Sequence, residues 1–378
     1  MSQQVNASLA STRPALPVSR LTVGGRQIDN AVFVELKVSK RVNHHDAATV
    51  SVLWPTTAAE RIERQTISFT YGTGSRASTF YGYVYSTEKD QQFQKQTVVT
   101  LHCLGTTWAL RSVGPRLLVD RTALSACQEI VRPHALGVRV TDSATYKFPR
   151  LAQVGQTDWE MVCDIAQMSG LHVTSTNGVI RLVNAMEELA ARSPHRRFTK
   201  STTLLDPADV SLIDFNPVNS VTTNRAHLQP SFSYFGSDKS VKTYVPDCDP
   251  VDITQVPERY VPDPRAAAQM IETMTRWNSL NQSAEARVRG DGSLVPGDTV
   301  SISTGVSNTV VDDYDGMWFV LSVEHKIDSK AFQTYMKLSR DEYRSVDTSK
   351  PHKRFWASDP NLLPQVKVVD GRWVSNWR

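Results

Sequence analysis

The residues that could do chemistry are few and scattered. His44-His45-Asp46 puts three metal-binding side chains in a row, but neighbours on an extended chain point to opposite sides, so a metal would need further ligands from elsewhere. The run reads as a solvated turn. Asp312, Asp313 and Asp315 before Gly316 have the opening of a calcium loop without its later bidentate glutamate, and read as an acidic surface turn. Gly72-x-Gly74 lies between two strand-like segments, where no helix N-terminus follows to hold a phosphate; it reads as a hairpin turn. GxSxG, HExxH, GxxxxGK[ST] and a strand-to-helix GxGxxG are absent. Cys103, Cys127, Cys163 and Cys248 include no CxxC or CxxxC pair, so reduced, buried thiols are expected rather than zinc or redox chemistry. Two carboxylates that converge only in space, as glycoside hydrolysis requires, leave no signature in a sequence, and nothing marks such a pair. The basic stretch Arg192 to Lys200 reads as a solvated linker. No catalytic residue, metal or cofactor is expected.

The elements that would position any site are mostly strands. Val32, Val34, Leu36 and Val38 fall at every second position, one face of a half-buried strand. Further strands are expected at Thr49 to Trp54, Ile67 to Tyr71, Phe80 to Tyr85 and Thr97 to Leu104. In the fourth, Phe80, Gly82 and Val84 alternate with Tyr81, Tyr83 and Tyr85, and the mid-strand glycine signals a bulge or sharp bend. The tyrosines read as a face packed on a neighbouring domain or subunit; a stacking platform for single-stranded DNA is the other reading. After Trp108 the pattern becomes helical, with Thr122 as a cap and Pro133 as a stop. Thr157-Asp158-Trp159-Glu160 is a capping box, Gly170 ends that helix, and Asn177-Gly178 turns a hairpin. Strands return near Val210 to Phe215 and Ala226 to Tyr234, a helix capped by Asp263 spans 263–278, and strand character runs from Ser283 to Arg340, with His325 as a strand-face or core histidine.

The chain has 378 residues, 40% apolar and 21% charged, a composition that excludes disorder, collagen and coiled coil. No apolar stretch is long enough to span a bilayer, and Met1 to Arg20 has no apolar segment of an export signal. The net charge of +4 is unevenly spread: residues 1–28 hold three Arg and no acid, and 346–378 hold six Lys/Arg against three Asp. The body is slightly acidic, which disfavours nucleic-acid binding. These patterns divide the chain into an N-terminal arm (1–20), a first antiparallel β domain, barrel or sandwich (21–116), an α/β insertion (117–200), a second β domain of much the same size (201–345) and a C-terminal arm (346–378). The fold class is mainly β with an α+β insertion.

The order of these elements resembles the tail-hub (late-control D) family of phage baseplates, which also forms the N-terminal hub module of type VI secretion spikes. The pieces are Phe80-x-Gly82-x-Val84, Thr157-Asp158-Trp159-Glu160 with Asn177-Gly178, Leu294-x-Pro296-Gly297-Asp298-x-Val300, and Gly316-x-Trp318-x-Val320-x-x-Val323-x-His325 closing on Tyr335-Met336-Lys337-Leu338 and Arg340. The resemblance covers about residues 21–345. It implies that both β domains are barrels, in a non-enzymatic homotrimer whose chains each give these two, making a ring of six that joins a hexameric tail tube to a trimeric spike. The genome DNA would pass through the channel without specific binding. Partners implied are the tail-tube protein, a central spike protein and baseplate wedge or tape-measure proteins, at the virion tail tip, after assembly in the host cytoplasm. Type VI spikes continue into a needle whereas this chain ends at Arg378, so a separate spike is expected, and no hydrolase segment is appended. The residues expected to build or contact the hub are Gly82, Tyr81, Tyr83, Trp159, Gly297, Trp318 and, in the C-terminal arm, Trp356, Trp373 and Trp377. The tail-tip hub of a non-contractile phage is the alternative within this fold; a cell-wall hydrolase with scattered carboxylates is the rival from another class.

Overall fold

The computed structural model describes residues 18–28, 32–54, 62–93, 96–140, 147–191, 193–200, 212–219, 232–235, 241–244, 259–260, 280, 282–304, 314–340, 366–369 and 372–375. The expected helix 263–278, most of the N-terminal arm, Asp312, Asp313, Cys248, Trp356 and Trp377 lie outside them.

The first block is antiparallel throughout. It comprises β1 (Val18–Val23), β2 (Arg26–Gln27), β3 (Val32–Arg41), β4 (Ala47–Trp54), β5 (Thr66–Tyr71), β6 (Ser78–Phe93) and β7 (Gln96–Gly105), in the order β3-β4-β7-β6-β5-β1-β2. The first strand begins inside the stretch read as an arm, because Val18 and Ser19 find Tyr71 and Thr70 of β5 to pair with. Inward side chains from β1, β3, β4, β5, β6 and β7, among them Leu21, Leu36, Val50, Phe69, Phe80 and Leu101, form one cluster, so the sheet curls round a single core. The alternation expected in β3 holds for Leu36 and Val38, both fully buried, and fails at Val32 and Val34, which are exposed. A register shift between Phe33 and Glu35 is the cause: the extra residue reverses the facing, and Phe33 packs on the core instead.

The insertion follows as β8 (Arg116–Thr122), α1 (Ala123–Val131), β9 (Gly137–Val140), β10 (Lys147–Gln153), α2 (Asp158–Met168), β11 (His172–Thr176), β12 (Val179–Val183) and α3 (Ala185–Ala191). Thr157 Oγ1 accepts the Glu160 amide at 3.2 Å while Glu160 accepts the Thr157 amide at 2.7 Å, the reciprocal cap that starts α2. Gly170, at φ +75°, ends it. Asn177 and Gly178 are both left-handed, as a tight hairpin turn between twisted strands requires. Ile130, Val162, Ile165, Leu182 and their neighbours make a second core.

The second block contains β13 (Arg196–Thr199), β14 (Leu212–Asn219), β18 (Gln282–Arg289), β19 (Thr299–Ser303), β20 (Gly316–Ile327) and β21 (Phe332–Arg340) round a third core that includes Trp318, Val320, Val288 and Leu338. A small sheet of β15 (Phe232–Phe235), β16 (Val241–Tyr244) and β17 (Arg259–Tyr260), and a ribbon of β22 (Val366–Val369) and β23 (Arg372–Ser375), complete the described strands. The two blocks share one sheet. The edge of β3 pairs antiparallel with β20 from Leu36↔Ile327 to Arg41↔Ser322, fusing them through backbone hydrogen bonds.

Gly297 sits in the turn that ties the second block to the insertion. Its φ is +90°, its amide donates to the Val320 carbonyl at 2.9 Å, and an added Cβ would lie 3.1 Å from Thr174 Cγ2 and 3.3 Å from Val183 Cγ2. Gly297→Val is expected to cost about 2–4 kcal/mol from backbone strain and crowding together. A urea melt checks this, and an unchanged midpoint would contradict it.

Candidate functional site

The joint between the blocks gathers several buried charged side chains of the described residues. Leu36 and Val38 point inward along β3, and the next residue in that row is Lys40, only 4% exposed. Burial alone would lower the Lys40 ammonium, but Tyr71 and the carboxylates of Asp46 and Asp298 outweigh it and hold its pKa above the ordinary value. Asp46 is buried too, and burial pushes its carboxyl up against the opposing pull of Lys40 and of the Ser175 hydroxyl, which donates to Oδ2 at 2.9 Å. Asp298 accepts Arg181 of β12 at 3.3 Å. Strands of both blocks and of the insertion therefore meet on one set of charges.

His325 of β20 lies in the same region and is fully buried. Its Nε2 is 3.3 Å from the Leu294 carbonyl, which can only accept, so Nε2 carries the proton and Nδ1 accepts from Thr334 Oγ1 at 3.0 Å. The Tyr71 ring lies 5.3 Å away. Desolvation, helped by Lys40, takes His325 down to about 3. His172 of β11, against Phe319, is taken down to about 4 by burial. Both rings are neutral at pH 7.

The run His44-His45-Asp46 is the solvated turn that the sequence implies only at His44, which is exposed, whereas His45 is half-buried and Asp46 buried. The insertion covers it: the Asn43 amide donates to the Val173 carbonyl at 2.7 Å, the Val173 amide donates to Asn43 Oδ1 at 2.8 Å, and the His45 ring lies 4.5 Å from that of Trp159. Desolvation takes His45 down to about 4. Nothing local in the sequence announces this cover, because it comes from residues more than a hundred positions away.

On its outer side the joined sheet carries charges matched across strands, with Val218 and Tyr335 exposed among them. Lys37 pairs with Glu324 at 3.0 Å, Lys326 with Glu35 at 3.8 Å, Lys337 with Glu285 at 3.4 Å, and Arg287 with Asp214. Exposed pairs of this kind add little stability each, but they leave the face without a strong field of either sign. Among the described residues the thiols are held protonated: desolvation pushes Cys103 and the half-buried Cys163 up to about 12, and Cys127 up as well. Among the described residues no three His, Cys, Asp or Glu side chains group as metal ligands, and no helix is long and apolar enough to cross a membrane.

The residues singled out from the sequence do not form one constellation. Gly82 is buried where β6 crosses β7, opposite Gly105. Tyr81 and Tyr83 point outward from β6, and Tyr83 lies 6.0 Å from the Trp108 ring. Trp159 is buried in the first turn of α2, and Gly297 is at the turn described above. Trp318 is fully buried, with Nε1 donating to the Tyr314 carbonyl at 3.0 Å and the Arg340 guanidinium 4.4 Å over its ring. Trp373 lies in β23, opposite Val368. Sequence reading named Asp46 only as part of a solvated turn and Asp298 only as part of a turn motif, and overlooked Lys40 and Leu117-Leu118-Val119, whose one-in, two-out pattern is visible only once β8 is known to be a strand.

No protein-family model matches the chain, and no curated protein matches its sequence. Solved structures do. A tail protein from Neisseria meningitidis MC58 superposes with a TM-score of 0.63 at 15% identity, over 86% of this chain and 96% of that one. The 43 kDa tail protein of prophage MuSo2 from Shewanella oneidensis gives 0.55 at 13% identity, over 85% and 97%. An Escherichia coli component of the type VI secretion system, described as similar to the T4 bacteriophage tail proteins gp27 and gp5, gives 0.57 at 10% identity, over 85% and 76%. The chain has the mainly antiparallel tail-hub fold shared by phage tail proteins and type VI secretion hubs.

Proposed function

We propose that the chain is a structural, non-enzymatic hub of a phage tail or related injection machine, three copies closing into a ring that joins a hexameric tail tube to a trimeric spike round a DNA channel. One observation carries the reading: two β blocks, each curled round its own core, are locked edge to edge through β3 and β20. A threefold protein needs two similar units per chain to meet a sixfold neighbour. The fold likeness to tail proteins over almost their whole length supports it, and the charge-matched outer sheet suits a wall that DNA must pass without sticking. On this reading the division into two barrel domains, an α/β insertion and two arms describes working parts. Gly82, Gly297 and Trp318 hold the barrels in shape, Tyr81, Tyr83 and Trp159 serve packing between units, and the arm with Trp356, Trp373 and Trp377 reaches the spike or a neighbouring hub subunit. The partners are the tube and spike proteins, with wedge or tape-measure proteins beyond them, in the virion tail.

Light scattering on the purified chain, followed by negative-stain imaging of the same peak, tests this. The expected result is about three times the chain mass and a ring with a central opening. A compact monomer that stays single when mixed with tube and spike proteins would overturn the proposal.

A further inference from the structure

A threefold ring is closed by heterologous contacts, so each copy must offer two different, complementary patches. The chain has two such surfaces. The first is the two-stranded sheet of β8 and β10. Leu118 and Leu151, paired across it, face the helices, while Leu117 and Val119 stand on the other side with Ala152 and Arg150 opposite them. Val113 and Val154 flank the sheet, and with Leu117 and Val119 these large apolar side chains are 45–81% exposed. Exposed apolar surface gathered in this way marks a contact site. The sheet is held rigidly: Arg116 donates to Asp158 at 3.0 Å and to Gln153 at 3.1 Å, and Gln153, Ser112 and His134 also bond the Asp158 carboxylate, fixing both strands to the start of α2. Of the cations on these strands, Arg116 is bonded to Asp158 and Arg121 to Glu129 of α1 at 2.9 Å, which leaves Arg150, opposite Val119 on the outer side, and Lys147 against one carboxylate, Asp120.

The second surface is the outer face of β6. Tyr81 and Tyr85 are 48% and 51% exposed. A register shift after Val84 keeps Tyr85 outward beside His102, and Glu88, paired with Thr100, faces the same way, whereas Lys89 pairs with the buried Val99. Glu88 is bonded to the His102 ring at 3.1 Å, and Glu63, bonded to Thr87 at 2.7 Å, lies with Lys89 on the other side of the strand, since Thr87 pairs with buried Leu101. One patch is aliphatic with the cation Arg150 on it, and the other is aromatic with the carboxylate Glu88 on it.

We infer that the apolar β8–β10 face of one copy docks on the Tyr81/Tyr85 face of the next copy, and that this contact closes the ring. The inference rests on the trimer proposed above and names its interface. Leu117→Asp and Tyr85→Asp each remove one patch and leave the other. Each variant alone is expected to be monomeric by light scattering, with a circular-dichroism melt like that of the parent chain. Mixed in equal amounts, they retain one good contact between them and are expected to give a heterodimer that cannot close. A variant that still forms the trimer, or a mixture that stays monomeric, overturns the inference and leaves the trimer standing; a parent chain that stays monomeric even when mixed with tube and spike proteins overturns both. Should Leu117→Asp fail to fold, Val154→Asp, at 81% exposure and outside the strand, takes its place with the same expected outcomes.

Discussion

Valine at position 82 is expected to leave no stably folded chain. A Cβ on Gly82 would sit well inside 3.0 Å of the Leu104 carbonyl oxygen and 2.9 Å from the Phe80 ring. The ring could turn; the carbonyl could not. Leu104 belongs to β7, which is paired with β4 on one side and β6 on the other, so making room means breaking a central ladder. The position is glycine because two backbones cross here, not because of its φ, which is not left-handed. The expected loss exceeds about 4 kcal/mol, a large share of the roughly 5–15 kcal/mol that holds a domain folded. Gly114, where an added Cβ meets nothing within 4 Å, is the matched control: Gly114→Ala should stay within about 0.5 kcal/mol of the parent chain. Soluble yield and urea midpoints decide it, and a Gly82→Val protein with the parent midpoint would mean that the strands cross further apart.

Acid is expected to begin destabilising the chain from about pH 6.5, above the ordinary carboxylate range. His172 and His325 are held neutral, at about 4 and about 3 against an ordinary 6.5. A base depressed in the folded state contributes its full stability above its unfolded pKa. That contribution is lost as pH falls from about 6.5 toward the folded value, because only the unfolded chain takes up the proton. At about 1.4 kcal/mol per pH unit, each ring withdraws on the order of 3 kcal/mol by pH 4. His45, partly exposed, acts in the same direction but less. Asp46 acts oppositely: its carboxyl is raised, so it takes up its proton first in the folded chain and offsets part of the loss. Lys40 stays charged over this range. Thermal midpoints should therefore fall steadily between pH 6.5 and pH 4. His172→Phe should flatten that slope by about one proton; a midpoint flat across the range, or a slope untouched by the substitution, would refute the account.

What the sequence makes legible is what neighbours along the chain decide. Thr157 and Glu160 cap a helix because they are three residues apart, and Asn177-Gly178 turns a hairpin because both accept a left-handed backbone. The run Gly316 to His325 skips a step after Val320, and the structure has a register shift there that returns Val323 and His325 to the core. The charged joint was illegible for the opposite reason. Lys40 and Asp46 look like ordinary polar residues of a strand end and a turn, and only the arrival of Ser175, Arg181 and Asp298 from distant elements buries them together. Val32 and Val34 misled because a bulge one residue long inverts a period-two pattern and leaves no mark in composition.

The pairing of β3 with β20 also sets an order of events during synthesis. Its two strands are separated by roughly 280–290 residues of chain, so at roughly 5–20 residues per second the open edge of β3 waits on the order of tens of seconds for its partner to leave the ribosome. An open edge is a template for wrong pairing, and β3 carries Glu35, Lys37, Lys40 and Arg41 along the segment that waits. The charges that later pair with Glu324 and Lys326 across the finished sheet thus have an earlier task, keeping nascent chains apart while the first half stands alone.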